Sequence, residues 1–423
     1  MTIPFSLLFL VLSGSGNESA PRAERLRNES LVLQAAEVRT GDGSVFKPGI
    51  VIVLDGRVVA AGQAPPIPVG SRTIDCGDAV ITPGLIDAAC QLGASSWQGF
   101  SEQSSEVIPQ LDAADAIDYF SHDFEQLASE GVTTIYLTGE AASVISSKGA
   151  AVKTAGPVDE RKLAAKPCVK GTLGLESAYR GVSNTSPSRF SPPTFRARRP
   201  TTHMGSAGVF RKAFFDAKSY REHGATQEDP AAMGALLEVL DGKTALRMQV
   251  REAFDFDNVI RLCDEFSLPF VVEYGSEAVE RIDLLAARKI PVIFGPVNDA
   301  QSGAAHFVED ASPAFSAPKL FVERGIPFCL TASDGIGDAG LARQCGIAIR
   351  HGLAADRALR AVTGDAAAML GLDARVGRLA PGLDADLVVW NGAPFDDTSK
   401  PVLVLINGRP VFDPDHRFRK ENS

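Results

Sequence analysis

The residues in this 423-residue chain whose types invite a chemical reading are six histidines, six cysteines and a Ser-Asp pair. The cysteines (Cys76, Cys90, Cys168, Cys263, Cys329, Cys345) are scattered, with no C-x-x-C pair. A disulfide framework needs dense, short-range cysteines and a structural zinc needs clustered ones, so this spacing predicts small buried thiols. The histidines (His122, His203, His223, His306, His351, His416) are equally dispersed, and His203 and His306, on expected loops, are the two most open to a site role. Ser333 stands beside Asp334 without a histidine partner, which removes the base a serine nucleophile requires. No G-x-G-x-x-G follows an expected strand, so a nucleotide site has no support.

The elements that must position such residues fall into three blocks. Leu31 to Ala36, Ile50 to Leu54 and Arg57 to Ala61 read as short strands, with Asp55-Gly56 as a two-residue hairpin turn. From Ala79 onward apolar strands alternate with helical stretches. The strands are Ala79 to Ile86, Val132 to Thr138, Thr244 to Val250, Leu268 to Tyr274, Ile290 to Phe294 and Ile326 to Ala332. Phe256 to Phe266 and Glu277 to Lys289 carry apolar positions every three to four residues, as amphipathic helices require. Repeated strand–helix units imply a parallel sheet, most economically a TIM (β/α)8 barrel, with a doubly wound open sheet as the alternative. The tail returns to β: Ala385 to Trp390, Pro401 to Ile406, the turn Asn407-Gly408, and Arg409 to Phe412. The expected fold is therefore α/β: a barrel over 81–372 plus a small β-sandwich built from both chain ends, 31–80 and 373–418. Ser183 to Thr202, rich in Ser, Pro and Arg, reads as an irregular insertion, either a surface loop or a lid.

Charge narrows the partners. Forty-two basic against 52 acidic residues give −10, which argues against nucleic acid and anionic membranes. Ile3 to Leu12 is an apolar run of signal-peptide length, too short to span a bilayer, so residues 1–30 read as a leader. That favours export to a periplasmic or extracellular space, with a cytoplasmic location as the alternative. No other segment has the roughly 18 uninterrupted apolar residues of a transmembrane helix.

Three patches resemble the metal-dependent amidohydrolases, particularly the imidazolonepropionase-like branch. They are Ile81-Thr82-Pro83-Gly84-Leu85-Ile86-Asp87 opening the barrel, Thr331-Ala332-Ser333-Asp334-Gly335 at its last strand, and Val376 to Trp390. The third is similar to the family's G-x-(I/L)-x-x-G-x-x-A-D-L-V signature. The resemblance implies metal-assisted hydrolysis of non-peptide C–N bonds, with one or two divalent metals such as zinc activating a water. It implies ligands from a His-x-His after the first strand, from histidines ending the fifth and sixth strands, and from an aspartate ending the eighth.

Against that pattern the chain has Ala89 and Gln91 for His-x-His, Gln249 on the fifth strand and Tyr274 on the sixth, and only Asp334 remains. No metal or other cofactor is expected. Cys90 and Glu273 lie nearby, but strand alternation turns both away, Glu273 toward the helical layer. Asp334 then reads either as a general base with a raised pKa or as a relic held by backbone amides. Gln91, Gln249 and Tyr274 converge on the mouth as a polar network or as a pocket for an uncharged ligand. The expected function is accordingly C–N hydrolysis of the cyclic-amide type, impaired or lost. The alternative is a non-catalytic protein that binds a small molecule or pairs, as homo- or hetero-oligomer, with an active relative. If turnover survives, Asp334→Ala abolishes it while circular dichroism stays unchanged; undiminished turnover excludes Asp334 as the base.

Overall fold

The computed structural model describes residues 30–94, 99–102, 104–139, 141–178, 200–224, 227–297, 314–333 and 335–416. The leader expected over 1–30 falls outside these residues except for Ser30, as do Asp334, His306 and most of the 183–202 insertion. Among the described residues no helix is long and apolar enough to cross a membrane.

Both chain ends contribute β-structure. The N-terminal strands are β1 (Leu31–Ala35), β2 (Glu37–Arg39), β3 (Val45–Phe46), β4 (Gly49–Leu54), β5 (Arg57–Gly62), β6 (Arg72–Asp75) and β7 (Val80–Pro83). The Asp55-Gly56 turn has positive φ at both residues (51° and 76°), the geometry of a tight hairpin. After the barrel-like region come β18 (Leu387–Trp390), β19 (Pro401–Ile406) and β20 (Arg409–Phe412). One sheet runs β5-β4-β1-β6 and another β20-β19-β18-β7-β2-β3. They share an apolar cluster in which Leu33, Val51 and Val53 meet Ile81, Leu387, Val389 and Leu405.

The sequence Val80 to Cys90, read as one strand, serves two sheets. β7 pairs with β18, and β8 (Leu85–Cys90) pairs with β9 (Val132–Leu137). Gly84 separates them. A Cβ there would collide with the Thr133 side chain, so only glycine lets the chain cross so closely.

The central region is built from β8 and β9, then β10 (Ile145–Lys148), β11 (Ala150–Lys153), β12 (Lys162–Leu163), β13 (Cys168–Thr172), β14 (Ala245–Val250), β15 (Phe270–Tyr274), β16 (Val292–Phe294) and β17 (Phe328–Leu330). β13 through β17 are parallel neighbours in sequence order, as strand–helix repeats dictate. The expected (β/α)8 barrel needs correction in two respects. First, β10 and β11 form one nearly continuous stretch that runs antiparallel to β9 on one side and to β13 on the other. A hairpin therefore stands where a parallel strand and its crossover helix were expected. Second, the sheets are not closed by a ladder between β17 and β8. That seam is bridged through Asp87, whose carboxylate accepts from Thr331 Oγ1 (2.5 Å), Ala332 N (3.0 Å) and Ala89 N (3.1 Å).

Alternate residues of each strand face opposite layers. Leu246, Met248 and Val250 pack with Phe210, Phe214, Phe256 and Val259 of the flanking helices, residues His203–His223 and Ala253–Phe266. Inside, Ile86, Ala88, Ala89, Tyr136, Ile293 and Cys329 form a separate cluster closed by Ala367, Leu370 and Val376.

The C-terminal signature acquires a mechanical meaning. Fully buried Lys153 on β11 places Nζ 2.8 Å from Asp384, 2.9 Å from Asp386 and 2.6 Å from Asn407 Oδ1. This ties the barrel-like wall to the tail. Burial pushes the Asp386 carboxyl up; burial also acts on Asp384, but Arg375 and Lys153 outweigh it and hold that carboxyl down. Lys153→Met is expected to destabilise the fold by about 3–5 kcal/mol, because it strands the buried Asp386 carboxylate, while Asp384 keeps Arg375. Urea unfolding checks this, and a loss below about 1 kcal/mol would show that the clamp contributes little.

Candidate functional site

The C-terminal ends of β8, β13, β14, β15 and β17 converge, and most of the residues singled out in the sequence lie there. Ala89 is fully buried in the interior apolar cluster and offers no donor atom. Gln91 donates its backbone N–H to Ser333 O (3.1 Å). Tyr274 places its hydroxyl 3.2 Å from Ser333 Oγ. Gln249 Nε2 donates to Glu176, whose other oxygen accepts from Arg251 Nε at 3.1 Å. The Arg251 guanidinium lies 4.6 Å from the centre of the Tyr274 ring, joining the two halves into one constellation. Of the remaining candidates, Cys90 packs in the outer apolar layer, opposite Ala89; Ile86 and Ala88 share the inner cluster, so the strand departs from alternation where its register with β9 shifts between Asp87 and Cys90.

Glu273 contradicts expectation. It does not face the helices; it is fully buried in the interior. There its oxygens lie 2.9 Å from Lys170 Nζ and 2.9 Å from Arg247 Nε. Arg247 also donates to Ala88 O, and its guanidinium sits 4.2 Å from the centre of the Tyr136 ring. The physical reason lies one residue on. Val272 packs outward and Glu273 inward, so Tyr274 should point outward again; instead it adopts φ 70°. This left-handed conformation, costly for a residue with a Cβ, breaks the alternation and turns the phenol back to the mouth. Lys170 Nζ lies 5.0 Å from the centre of that ring.

The charges in this interior are matched. Burial pushes the Glu273 carboxyl up, but Lys170 and Arg247 outweigh it and hold it below its ordinary range. Burial also presses on the Lys170 ammonium, and the Glu273 charge outweighs it in turn, raising Lys170. Desolvation raises the Tyr274 phenol and the Asp87 carboxyl.

Among the described residues, the site does not fit the divalent metal that the resemblance implies. Ala89 has no donor, and Gln91, Gln249 and Tyr274 offer at best weak neutral ones. The described carboxylates nearby, Asp87, Glu176 and Glu273, have both oxygens of each engaged by protein donors. Lys170, Arg247 and Arg251 bring three cations into the same space, which a dication would have to approach. By contrast, Gln91 Oε1 and Thr172 Oγ1 are buried without a hydrogen-bond partner. Among the described residues nothing pairs with these two atoms, which leaves them open to a ligand's polar groups.

Lys170, Glu176, Arg247 and Arg251 escaped sequence reasoning. A lysine and an arginine inside apolar strands at Lys170 and Arg247, facing the strand that carries Glu273, were the available signal.

Known proteins bear on this geometry. An amidohydrolase family model matches residues 282–411. The chain is 22% identical over 409 residues to the amidohydrolase tasK of Hapsidospora irregularis, covering 89% of this chain and 41% of that protein. It is 31% identical over 78 residues to a 5-methylthioadenosine/S-adenosylhomocysteine deaminase of Symbiobacterium thermophilum, 18% of either chain. The chain thus spans less than half the length of these relatives. Among solved structures, an amidohydrolase from Thermotoga maritima MSB8 superimposes with a TM-score of 0.78 at 26% identity, covering 90% of this chain and all of that one.

Glu273→Gln leaves two buried cations without their counter-charge and is expected to cost about 3–5 kcal/mol at neutral pH. Because the folded carboxyl sits below its ordinary 4.5, its contribution is complete above that pH and is lost as pH falls through the lower folded value. Denaturant titrations of both proteins between pH 3 and 7 should therefore converge toward acid. A constant gap would exclude ionised Glu273 as the source.

Proposed function

We propose that this amidohydrolase-superfamily chain, close to the imidazolonepropionase-like branch, has lost or lowered C–N hydrolysis at its mouth and binds a small uncharged ligand there. The family match and the Thermotoga maritima structure support the superfamily. The observation that carries the rest is the engagement of Asp87, Glu176 and Glu273 by protein donors, with cations beside them. A metal hydrolase needs anionic or imidazole donors left open to the ion and an acidified water. This mouth has instead a set of fixed charges that satisfy one another.

The two orphaned atoms define what such a ligand offers. Gln91 Oε1 accepts only, so the ligand presents an N–H or O–H to it, while the Thr172 hydroxyl serves as donor or acceptor. A neutral cyclic amide carries both functions and avoids disturbing the paired charges. The Tyr274 hydroxyl, paired with Ser333 Oγ at 3.2 Å, supplies a further neutral polar group beside it.

The test combines a thermal-shift panel of uncharged cyclic amides with a ring-opening assay on the same compounds, run with zinc or manganese supplied. Stabilisation without turnover is expected, up to about 2.7 kcal/mol for a ligand at a hundredfold excess over its Kd. Gln91→Ala and Thr172→Val should remove it. Chelator-sensitive turnover that Asp334→Ala abolishes would overturn the reading.

A further inference from the structure

Outside the mouth constellation, His203, Glu252 and Asp255 bring one candidate ligand atom each to within 4.8 Å of one another. They come from two helix beginnings. His203 is the first residue of helix His203–His223, capped by Thr202 Oγ1, which accepts from Gly205 N at 3.0 Å. Glu252 is the residue before helix Ala253–Phe266, and Asp255 lies in that helix's first turn. The segment follows β14 directly, so the cluster sits on the rim beyond Arg251.

We infer that His203, Glu252 and Asp255 form a divalent transition-metal site, separate from the positions Ala89, Gln91, Gln249 and Tyr274. Three observations carry it. The donor set of one imidazole and two carboxylates suits zinc, manganese or iron, and its two negative charges neutralise a dication. The spacing fits: ligands about 2.1 Å from one tetrahedral ion stand about 3.4 Å apart, and His203 Nδ1 lies 3.2 Å from Asp255 Oδ1, in a hydrogen bond that an ion between them would replace. Finally, Asp255 is only 2% exposed, yet its Oδ2 has no hydrogen-bond partner. His203 engages only Oδ1 of this carboxylate and the nearby Asn258 makes no hydrogen bond of good geometry to Oδ2, so that buried oxygen, beside a second carboxylate and a histidine, is one that a cation completes.

The His203 ring is itself held, with the Phe254 ring packed edge-on at 4.9 Å between centroids. Its side chain retains 26% exposure, so an ion can enter from solvent and keep water in its remaining positions. Bound there, the metal pins the start of the long helix His203–His223 to the loop after β14. It makes no use of Asp334 or of the mouth residues, so the proposal stands independently of the function proposed above.

The full chain, stripped with chelator and desalted, should take up one zinc per chain on titration with zinc chloride, read by elemental analysis and isothermal calorimetry. His203→Gln and Asp255→Asn should each weaken uptake by more than about tenfold, the lower end of what damage to a metal site's support costs. Both variants are first compared with the wild type as metal-free proteins by circular dichroism, and Glu252→Gln serves if either is unfolded. Asp334→Ala and Gln91→Ala should leave uptake unchanged. No uptake by the wild type, or full uptake by the folded variants, overturns the site. Uptake lost only with Asp334→Ala overturns it as well and moves the metal to the mouth, against the function proposed above.

Discussion

A carboxylate sealed inside a protein without cations beside it is neutral or ruinous, and Glu273 is neither. Lys170 and Arg247 reach it from the two preceding strands, so three consecutive parallel strands, β13, β14 and β15, are held in register by charge as well as by their ladders. The arrangement accepts no easy change: a single truncation strands an opposite charge in a dry interior. Its consequence reaches the mouth. Lys170 is drawn under the Tyr274 ring, Arg247 is fastened to Ala88 beside Ala89, and the space at the strand ends is governed by internal neutrality.

Most of the architecture was legible wherever apolar runs met standard turns. β1, β4, β5, β9, β14 and β19 fall where alternation and the Asp55-Gly56 signal put them. Three things were not legible, each for a physical reason. β10, β11 and β13 hide because Ser146, Ser147, Lys148, Lys153 and Lys170 make their composition polar; their charges are satisfied by partners remote in sequence, which local patterning cannot reveal. The break at Gly84 is invisible because β7 and β8 are both apolar and nearly contiguous. The orientation of Glu273 was misjudged because alternation was counted back from Tyr274, the one residue whose left-handed backbone suspends the rule.

The candidate site was legible by position more than by partnership. Gln91, Gln249 and Tyr274 do gather at the strand ends, but what holds them (Glu176 on the single-turn helix Leu175–Ala178, and Arg251 and Ser333 on loops) announces nothing singly. The C-terminal signature is a second instance. Its two aspartates read as a family mark, whereas in space they receive the ammonium of Lys153 and so fasten the tail to the wall.

The reversed β10–β11 stretch also bears on how such a chain assembles. Parallel neighbours can pair only after an intervening helix has been wound, and the seam between Asp87 and Thr331 waits on residues 244 positions apart. The pairing of Leu137 with Ala150 needs only a short loop to close. Loop-closure entropy therefore favours this hairpin over every parallel pairing around it, lowering the contact order of one wall. The element that breaks the symmetry of the architecture is thus more local than the parallel pairings on either side of it, a natural place for that wall to begin.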